Sequence, residues 1–322
     1  LVLLKNDGLL PLDRTKVRTV GVIGPNANNR RALVGNYEGT ASRYVTPLEG
    51  IQDYLGDDAR VLYSEGCHLF QDKVGGLAAA GDRSAEARGV CAESDVVIVC
   101  LGLDSGLEGE EGDMGNAFAS GDKPDLKLPG MQEELLRIAH ESGKPVILAL
   151  LAGSALAVNY ADEHIPAIIQ AWYPGAQGGR ALAEAIFGGF SPSGKLPVTF
   201  YRTSEELPAF TDYSMENRTY RYMSGEALYP FGFGLTYGEV EIESARLDTG
   251  RVTESGVAAS VRLVNRGGRA CREVVQAYVK AERQGAPNPQ LKAFRSVELE
   301  PGASADIELT LPYESFALCG EN

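Results

Sequence analysis

After its opening aspartate, the segment Asp95-Val96-Val97-Ile98-Val99-Cys100-Leu101-Gly102-Leu103 carries no polar side chain. A run this short and this apolar has no wet face, so it reads as a strand covered on both sides. That one feature asks for a sheet with helices above and below it. The surrounding sequence supplies both. Val17 to Ile23 is a second buried strand, ending at Gly24-Pro25-Asn26, and Arg60 to Tyr63 is a weaker one. Val146 to Leu151 and Ile165 to Trp172 continue the style, and Leu196 to Phe200 reads as the sixth strand. Between them, Met131, Leu135, Ile138 and Ala139 recur at helical spacing, with Gly143 as the stop. Leu182, Ala185 and Ile186 make another apolar face closed by Gly188-Gly189, and Ala87, Val90 and Cys91 make a third. Alternation of this kind predicts an α/β domain over residues 1–201, with a mostly parallel sheet sandwiched by helices. Such sheets place ligands at the carboxyl ends of their strands.

The pattern breaks at 202–238, where Pro208, Pro230 and the run Tyr229-Pro230-Phe231-Gly232-Phe233-Gly234 read as an ordered, ring-rich connector. From 239 to 322 the apolar period becomes two. Val257, Ala259, Val261 and Leu263 alternate, as do Ile307, Leu309 and Leu311. Asn265-Arg266-Gly267-Gly268 and Pro301-Gly302 mark turns between such runs. This is a β-sandwich pattern. The tail is short for one, so a final strand is expected beyond Asn322.

Charge narrows the partners. Thirty Lys and Arg against 44 Asp and Glu give a net charge of −14, which repels nucleic-acid phosphates and anionic membrane surfaces. The longest apolar stretch, Pro145 to Val158, contains Gly153 and Ser154 and is too short to span a bilayer. Leu1-Val2-Leu3-Leu4-Lys5 has no leader pattern. Five scattered cysteines (67, 91, 100, 271 and 319) form no CxxC pair, so neither a zinc site nor a disulfide scaffold is expected. Free core thiols and the missing leader point to the cytoplasm.

The chemistry concentrates after the most apolar strand. Asp104-Ser105-Gly106-Leu107-Glu108-Gly109-Glu110-Glu111-Gly112-Asp113 holds five carboxylates in ten residues. Crowded carboxylates raise one another's proton affinity, which suits a general acid. A solvated acidic loop is the plainer reading, and the spacing does not fit an EF-hand. Gly24-Pro25-Asn26-Ala27 lacks both glycine fingerprints of nucleotide loops. No Gly-x-Ser-x-Gly elbow occurs. The three histidines, His68, His140 and His164, read as structural. Trp172-Tyr173-Pro174-Gly175 ends a strand and reads as core, with sugar stacking as the alternative.

These segments together resemble the C-terminal half of glycoside hydrolase family 3, the β-glucosidase and β-xylosidase family. The matching stretches begin with Val2 to Gly8 and Leu10-Pro11-Leu12, then Val22 to Ala27, Gly35-Asn36-Tyr37-Glu38-Gly39 and Thr46-Pro47-Leu48-Glu49-Gly50. They continue through Leu107-Glu108-Gly109-Glu110-Glu111, Leu128-Pro129-Gly130, Trp172-Tyr173-Pro174-Gly175, Ser191 to Pro197 and Tyr229 to Leu235. Each is weak alone, but their order and spacing are jointly specific.

The resemblance implies a six-stranded α/β sandwich followed by a fibronectin type III-like domain. It implies retaining hydrolysis of a terminal β-glycoside, with no metal and no organic cofactor. It assigns the acid/base role to the second Glu of a Glu-x-Glu pattern, Glu110, with Glu108 as the fallback. Asp122-Lys123 stands where the family has Asp-Arg, and with Glu108 it makes up the expected substrate-binding set. Lys keeps the charge but loses the planar fork. The family's nucleophile is an Asp on a preceding TIM barrel. No such segment occurs here, so the expected partners are a β-glycoside and a barrel in cis or trans. Oligomeric state is left open, a homo-oligomer included. The alternative is a non-catalytic carbohydrate-binding or scaffold protein on the same fold.

Overall fold

The computed structural model describes residues 1–73, 75–109, 123–283 and 285–317. Two compact units emerge: Leu1–Phe190 with Phe200–Glu206, and Ser191–Thr199 with Leu207–Asn322.

The first unit is built on one six-stranded sheet. Its strands are β1 (Val2–Asn6), β2 (Thr19–Ile23), β3 (Arg60–Ser64), β4 (Val96–Gly102), β5 (Val146–Leu151) and β6 (Ala167–Gln170). They lie in the order β1-β6-β5-β4-β2-β3. All neighbours are parallel except β1, which runs antiparallel along β6. Every residue of β4 and β5 is buried, as their unbroken apolar runs require of strands covered on both faces. The helices are α1 (Pro47–Leu55), α2 (Ser84–Glu93), α3 (Gln132–Glu141), α4 (Asn159–His164) and α5 (Gly178–Ile186). The chain passes from β2 outward to β3, then back to β4 on the other side of β2. The carboxyl ends of β2 and β4 therefore form the switch point of the sheet, where open α/β sheets bind ligands.

One sequence expectation changes here, and one helix adds to those expected. The sixth strand is Val2–Asn6, an antiparallel edge, and Leu196 to Phe200 is not a strand. Pro197 has no N–H to give a ladder. Leu196 instead exchanges hydrogen bonds with the ring-rich run: its N–H donates to the Phe233 carbonyl at 2.8 Å, and its carbonyl accepts from Gly232 at 2.8 Å. The helix α1 was not anticipated. Thr46 caps it through a capping box, its hydroxyl accepting from Glu49 N–H at 3.3 Å while Glu49 Oε2 accepts from Thr46 N–H at 2.9 Å.

Among the described residues, the second unit contains five strands: β7 (Val240–Leu247), β8 (Val257–Asn265), β9 (Cys271–Val279), β10 (Gln290–Leu299) and β11 (Ser304–Leu311). β11, β8 and β7 form one antiparallel sheet, and β10 and β9 form another. The period-two residues face inward: Val261, Leu263, Val275, Leu299, Ile307 and Leu309 make the core. Within this unit the ring-rich run is well packed. Tyr229 is buried, and Tyr220 stacks on Phe231 with centroids 4.0 Å apart.

Among the described residues no helix is long and apolar enough to cross a membrane. Cys67, Cys91, Cys100 and Cys271 are free and buried. Burial pushes the Cys67 and Cys100 thiols up to about 12.

Candidate active site

The carboxyl ends of β2, β4, β5 and β6 are stitched together by polar side chains. Asn26, fully buried just past β2, donates from Nδ2 to the carbonyls of Leu103 at 2.9 Å and Leu151 at 3.3 Å. That is a structural tie between three strand ends, which accounts for the asparagine of the Gly24-Pro25-Asn26 turn. Past β4, Asp104 folds the start of the acidic segment into a tight turn. Its Oδ1 accepts from Gly106 N–H at 2.8 Å, and its carbonyl accepts from Glu108 N–H at 3.1 Å. Leu107, 1% exposed, pins the turn to the core. Asn29 Nδ2 donates to Asp104 Oδ2 at 3.3 Å.

This turn delivers Glu108 to the edge of the sheet, where three separate segments hold it. Its Oε2 accepts from Gly153 N–H at 2.7 Å, just beyond β5. The same oxygen accepts from the Tyr173 hydroxyl, just beyond β6. Its main-chain carbonyl accepts from Asn36 Nδ2 at 3.1 Å. Glycine at 153 keeps this contact uncrowded: a Cβ there would stand 3.0 Å from the Tyr173 ring and 3.1 Å from Glu108 Oε2, so one of them would have to shift by a few tenths of an ångström. Between β6 and Tyr173, Trp172 adopts a left-handed backbone (φ 61°). That conformation costs a non-glycine residue about 1–3 kcal/mol, and such strain clusters at functional sites. Burial, reinforced by the Glu108 carboxylate, pushes the Tyr173 phenol far above its ordinary range, so it remains a donor.

Lys123 lies in the same electrostatic field. Burial lowers its ammonium pKa, while Glu108 first and Asp125 second oppose that shift. Its Nζ is buried and has no hydrogen-bond partner among the described residues. A buried cation without a hydrogen-bonded partner is costly unless something else satisfies it.

Of the four site residues expected from the sequence, the structure brings Glu108 and Lys123 into one field. Glu110 and Asp122 lie outside the described residues. Tyr173, Gly153 and Asn36 were not singled out as site residues, although Tyr173 and Asn36 sat in motifs already noted. The signal available for Tyr173 was its place at a strand's carboxyl end. His68 does not line this edge through hydrogen bonding: its Nδ1 accepts from Gln71 N–H at 3.1 Å and closes a local turn. No group of three or more His, Cys, Asp or Glu among the described residues is arranged to hold a metal ion.

The glycosyl hydrolase family 3 C-terminal domain matches residues 1–237, and a fibronectin type III-like domain matches 273–322. A β-xylosidase of Formosa agariphila is 33% identical over 337 residues, covering 100% of this chain and 44% of its own length. A β-D-xylosidase of Arabidopsis thaliana is 39% identical over 251 residues, covering 74% of this chain and 30% of its own. The solved β-glucosidase of Erythrobacter marinus superimposes with a TM-score of 0.84 at 32% identity, covering 98% of this chain and 44% of that one. The chain thus spans less than half the length of these relatives. With both domains matched in order and the α/β sheet and antiparallel sheets observed, the chain belongs to glycosyl hydrolase family 3, of which it carries the C-terminal α/β domain and the fibronectin type III-like domain.

Proposed function

We propose that this chain supplies the acid/base half of a retaining exo-β-glycosidase of the β-glucosidase or β-xylosidase type. In this reading Glu110 is the general acid and base. Its carboxyl group gives a proton to the glycosidic oxygen while an Asp of a TIM-barrel domain attacks the anomeric carbon. The same group, now a carboxylate, then takes a proton from the water that releases the sugar. Retaining chemistry of this kind sets the two carboxyl groups about 5–5.5 Å apart. The observation supporting the assignment is the anchoring of Glu108. One of its side-chain oxygens is already committed to two donors, Gly153 N–H and the Tyr173 hydroxyl. A residue so engaged suits holding the acidic segment at the ligand-binding edge of the sheet, and it leaves proton delivery to Glu110. Lys123, with Asp122, belongs to the glycone-binding set. Its buried ammonium, unsatisfied among the described residues, suits a sugar hydroxyl.

The test is Glu110→Gln in the enzyme that joins this chain to its barrel. General acid–base catalysis contributes about 10²–10⁴-fold, so kcat/KM on an unactivated β-glycoside should fall by that order. An aryl glycoside with a good leaving group needs little protonation and should lose much less in its first step. Full activity of the variant on the unactivated substrate rejects Glu110. If Glu108→Gln instead reproduces the leaving-group dependence, the fallback residue takes the role.

A further inference from the structure

Away from the acidic turn, the first unit contains a second concave site. It is a half-open cleft of about 450 Å³ lined by residues of α3 and α4, by Ala157 just ahead of α4, and by the segments 126–127 and 202–204. That volume falls within the roughly 300–1,000 Å³ of small-ligand sites. Its walls are fixed. Asn159 Nδ2 donates to the Arg202 carbonyl at 2.7 Å, and the Ala157 N–H donates to the Leu126 carbonyl at 2.7 Å. Tyr160 is held on three sides: its hydroxyl meets His140 Nδ1 at 2.7 Å, the Arg137 guanidinium lies 3.8 Å over its ring, and the His164 ring centroid is 4.5 Å away.

The charges of this cavity run against those of the molecule. The chain as a whole has 30 basic and 44 acidic residues, yet Lys127, Arg137 and Arg202 line the cavity against Glu133 and Glu163. Both carboxylates have neighbours: Glu133 pairs with Arg137 at 2.6 Å, and Glu163 lies 3.7 Å from His164 Nε2. Lys127 and Arg202 have no ion-pair partner among the described residues. The cavity thus joins two uncommitted cations to an aromatic wall, with the Thr203 and Ser204 hydroxyls on its rim.

We propose that this cavity binds a pyranose carrying a negative charge, a hexuronate or a hexose phosphate. Lys127 and Arg202 meet the anionic group, the Thr203 and Ser204 hydroxyls bond the sugar hydroxyls, and Tyr160 and His164, whose rings already engage Arg137, His140 and each other, form the fixed wall behind them. None of the residues that hold Glu108 lines this cavity, and its binding does not depend on the proposed reaction.

The experiment measures binding of glucuronate, glucose 6-phosphate, glucose and inorganic phosphate to the full chain by calorimetry and ligand-observed NMR. Arg202→Gln, Lys127→Gln and Glu110→Gln variants are run beside it. A charge-assisted hydrogen bond corresponds to about a tenfold or larger change in affinity, so at least one charged sugar should bind about tenfold more tightly than glucose. That affinity should drop about tenfold in each cation variant and stay unchanged in Glu110→Gln. Which charged sugar binds identifies the anionic group. Because both cationic side chains are exposed, their replacement should leave the thermal unfolding midpoint unchanged, so lost binding reports the site. Charged sugars binding no better than glucose, phosphate alone matching glucose 6-phosphate, or unaltered affinity in both cation variants would each overturn the proposal.

Discussion

Glu108 and Tyr173 are 65 positions apart, yet one hydrogen bond ties the exits of β4 and β6 together. A hydrogen bond to a charged group is worth about 1.5–3 kcal/mol net. Tyr173→Phe should therefore destabilise the chain by about 1–2 kcal/mol, since the site is only half buried and water replaces part of the loss. Glu108→Gln should cost a similar amount. Because the two share one contact, the double variant should be less destabilised than the sum of the singles, and urea unfolding of all four proteins would measure the coupling. Additive losses would mean the contact contributes nothing. Asp95 gives a second residue-scale prediction, at the start of β4. It accepts from the N–H groups of Thr19 and Arg18, each at 2.8 Å, and these bonds hold its carboxyl below the ordinary range. A carboxyl whose folded value is depressed stabilises the fold fully above its unfolded value of about 3.9, and the contribution is lost as pH falls through the folded value. Asp95→Asn should thus be less stable than the parent at about pH 7, and the difference should shrink as the pH is lowered below about 3.9, in unfolding experiments across that range.

Two helices of the first unit meet at backbone distance. A Cβ on Gly179, in the first turn of α5, would stand 1.8 Å from the Thr46 carbonyl oxygen at the cap of α1. In an isolated helix Gly→Ala is favourable by about 1 kcal/mol. Here the sign reverses: Gly179→Ala should destabilise by about 3 kcal/mol or more, because the obstacle is backbone and cannot rotate away. Thr46→Ala, which removes the cap and the hydrogen bond its hydroxyl donates to Asn28 Oδ1 at 3.1 Å, should cost about 1–2 kcal/mol. Calorimetric unfolding would rank them, and a neutral Gly179→Ala would contradict the packing.

Elements of this unit differed in how far the sequence revealed them. Val96–Gly102 and Val146–Leu151 were legible because total burial leaves an unbroken apolar run. β1 was not, because its identity as an edge comes from pairing with β6 some 160 positions later, which no local pattern encodes. α1 was legible twice over, in the capping signal of Thr46, Pro47 and Glu49, and in Leu48, Ile51 and Leu55 at helical spacing. The site was only half legible, for the reason that hid β1. Crowded carboxylates marked the segment and the family resemblance named Glu108 within it, whereas Asn36, Gly153 and Tyr173 reach it from three distant segments, and convergence of that kind becomes visible only once the strand order is known.

At the scale of the whole molecule, the proposed reaction needs two carboxylates on opposite sides of one anomeric carbon. In the proposed reading this chain offers only the one that moves protons. A general acid without a nucleophile leaves the larger part of the barrier in place, because the oxocarbenium-like transition state has no partner on its other face. The chain alone should therefore release no sugar above background from aryl β-xylosides and β-glucosides, followed by chromatography of the product. Adding a family barrel that bears the nucleophile should restore turnover, and the restored activity should depend on Glu110. The contrary outcomes are informative in different ways. Hydrolysis by the chain alone, surviving Glu110→Gln, would place the chemistry on residues other than those argued above. Sugar binding with no gain on adding the barrel would favour a non-catalytic carbohydrate-binding role for the same fold. Both experiments discriminate because the acidic segment, and not the net charge of −14, is what the proposed reaction depends on. A chain this acidic repels anions in general, so a gain that tracked salt concentration instead of Glu110 would expose a charge effect on association.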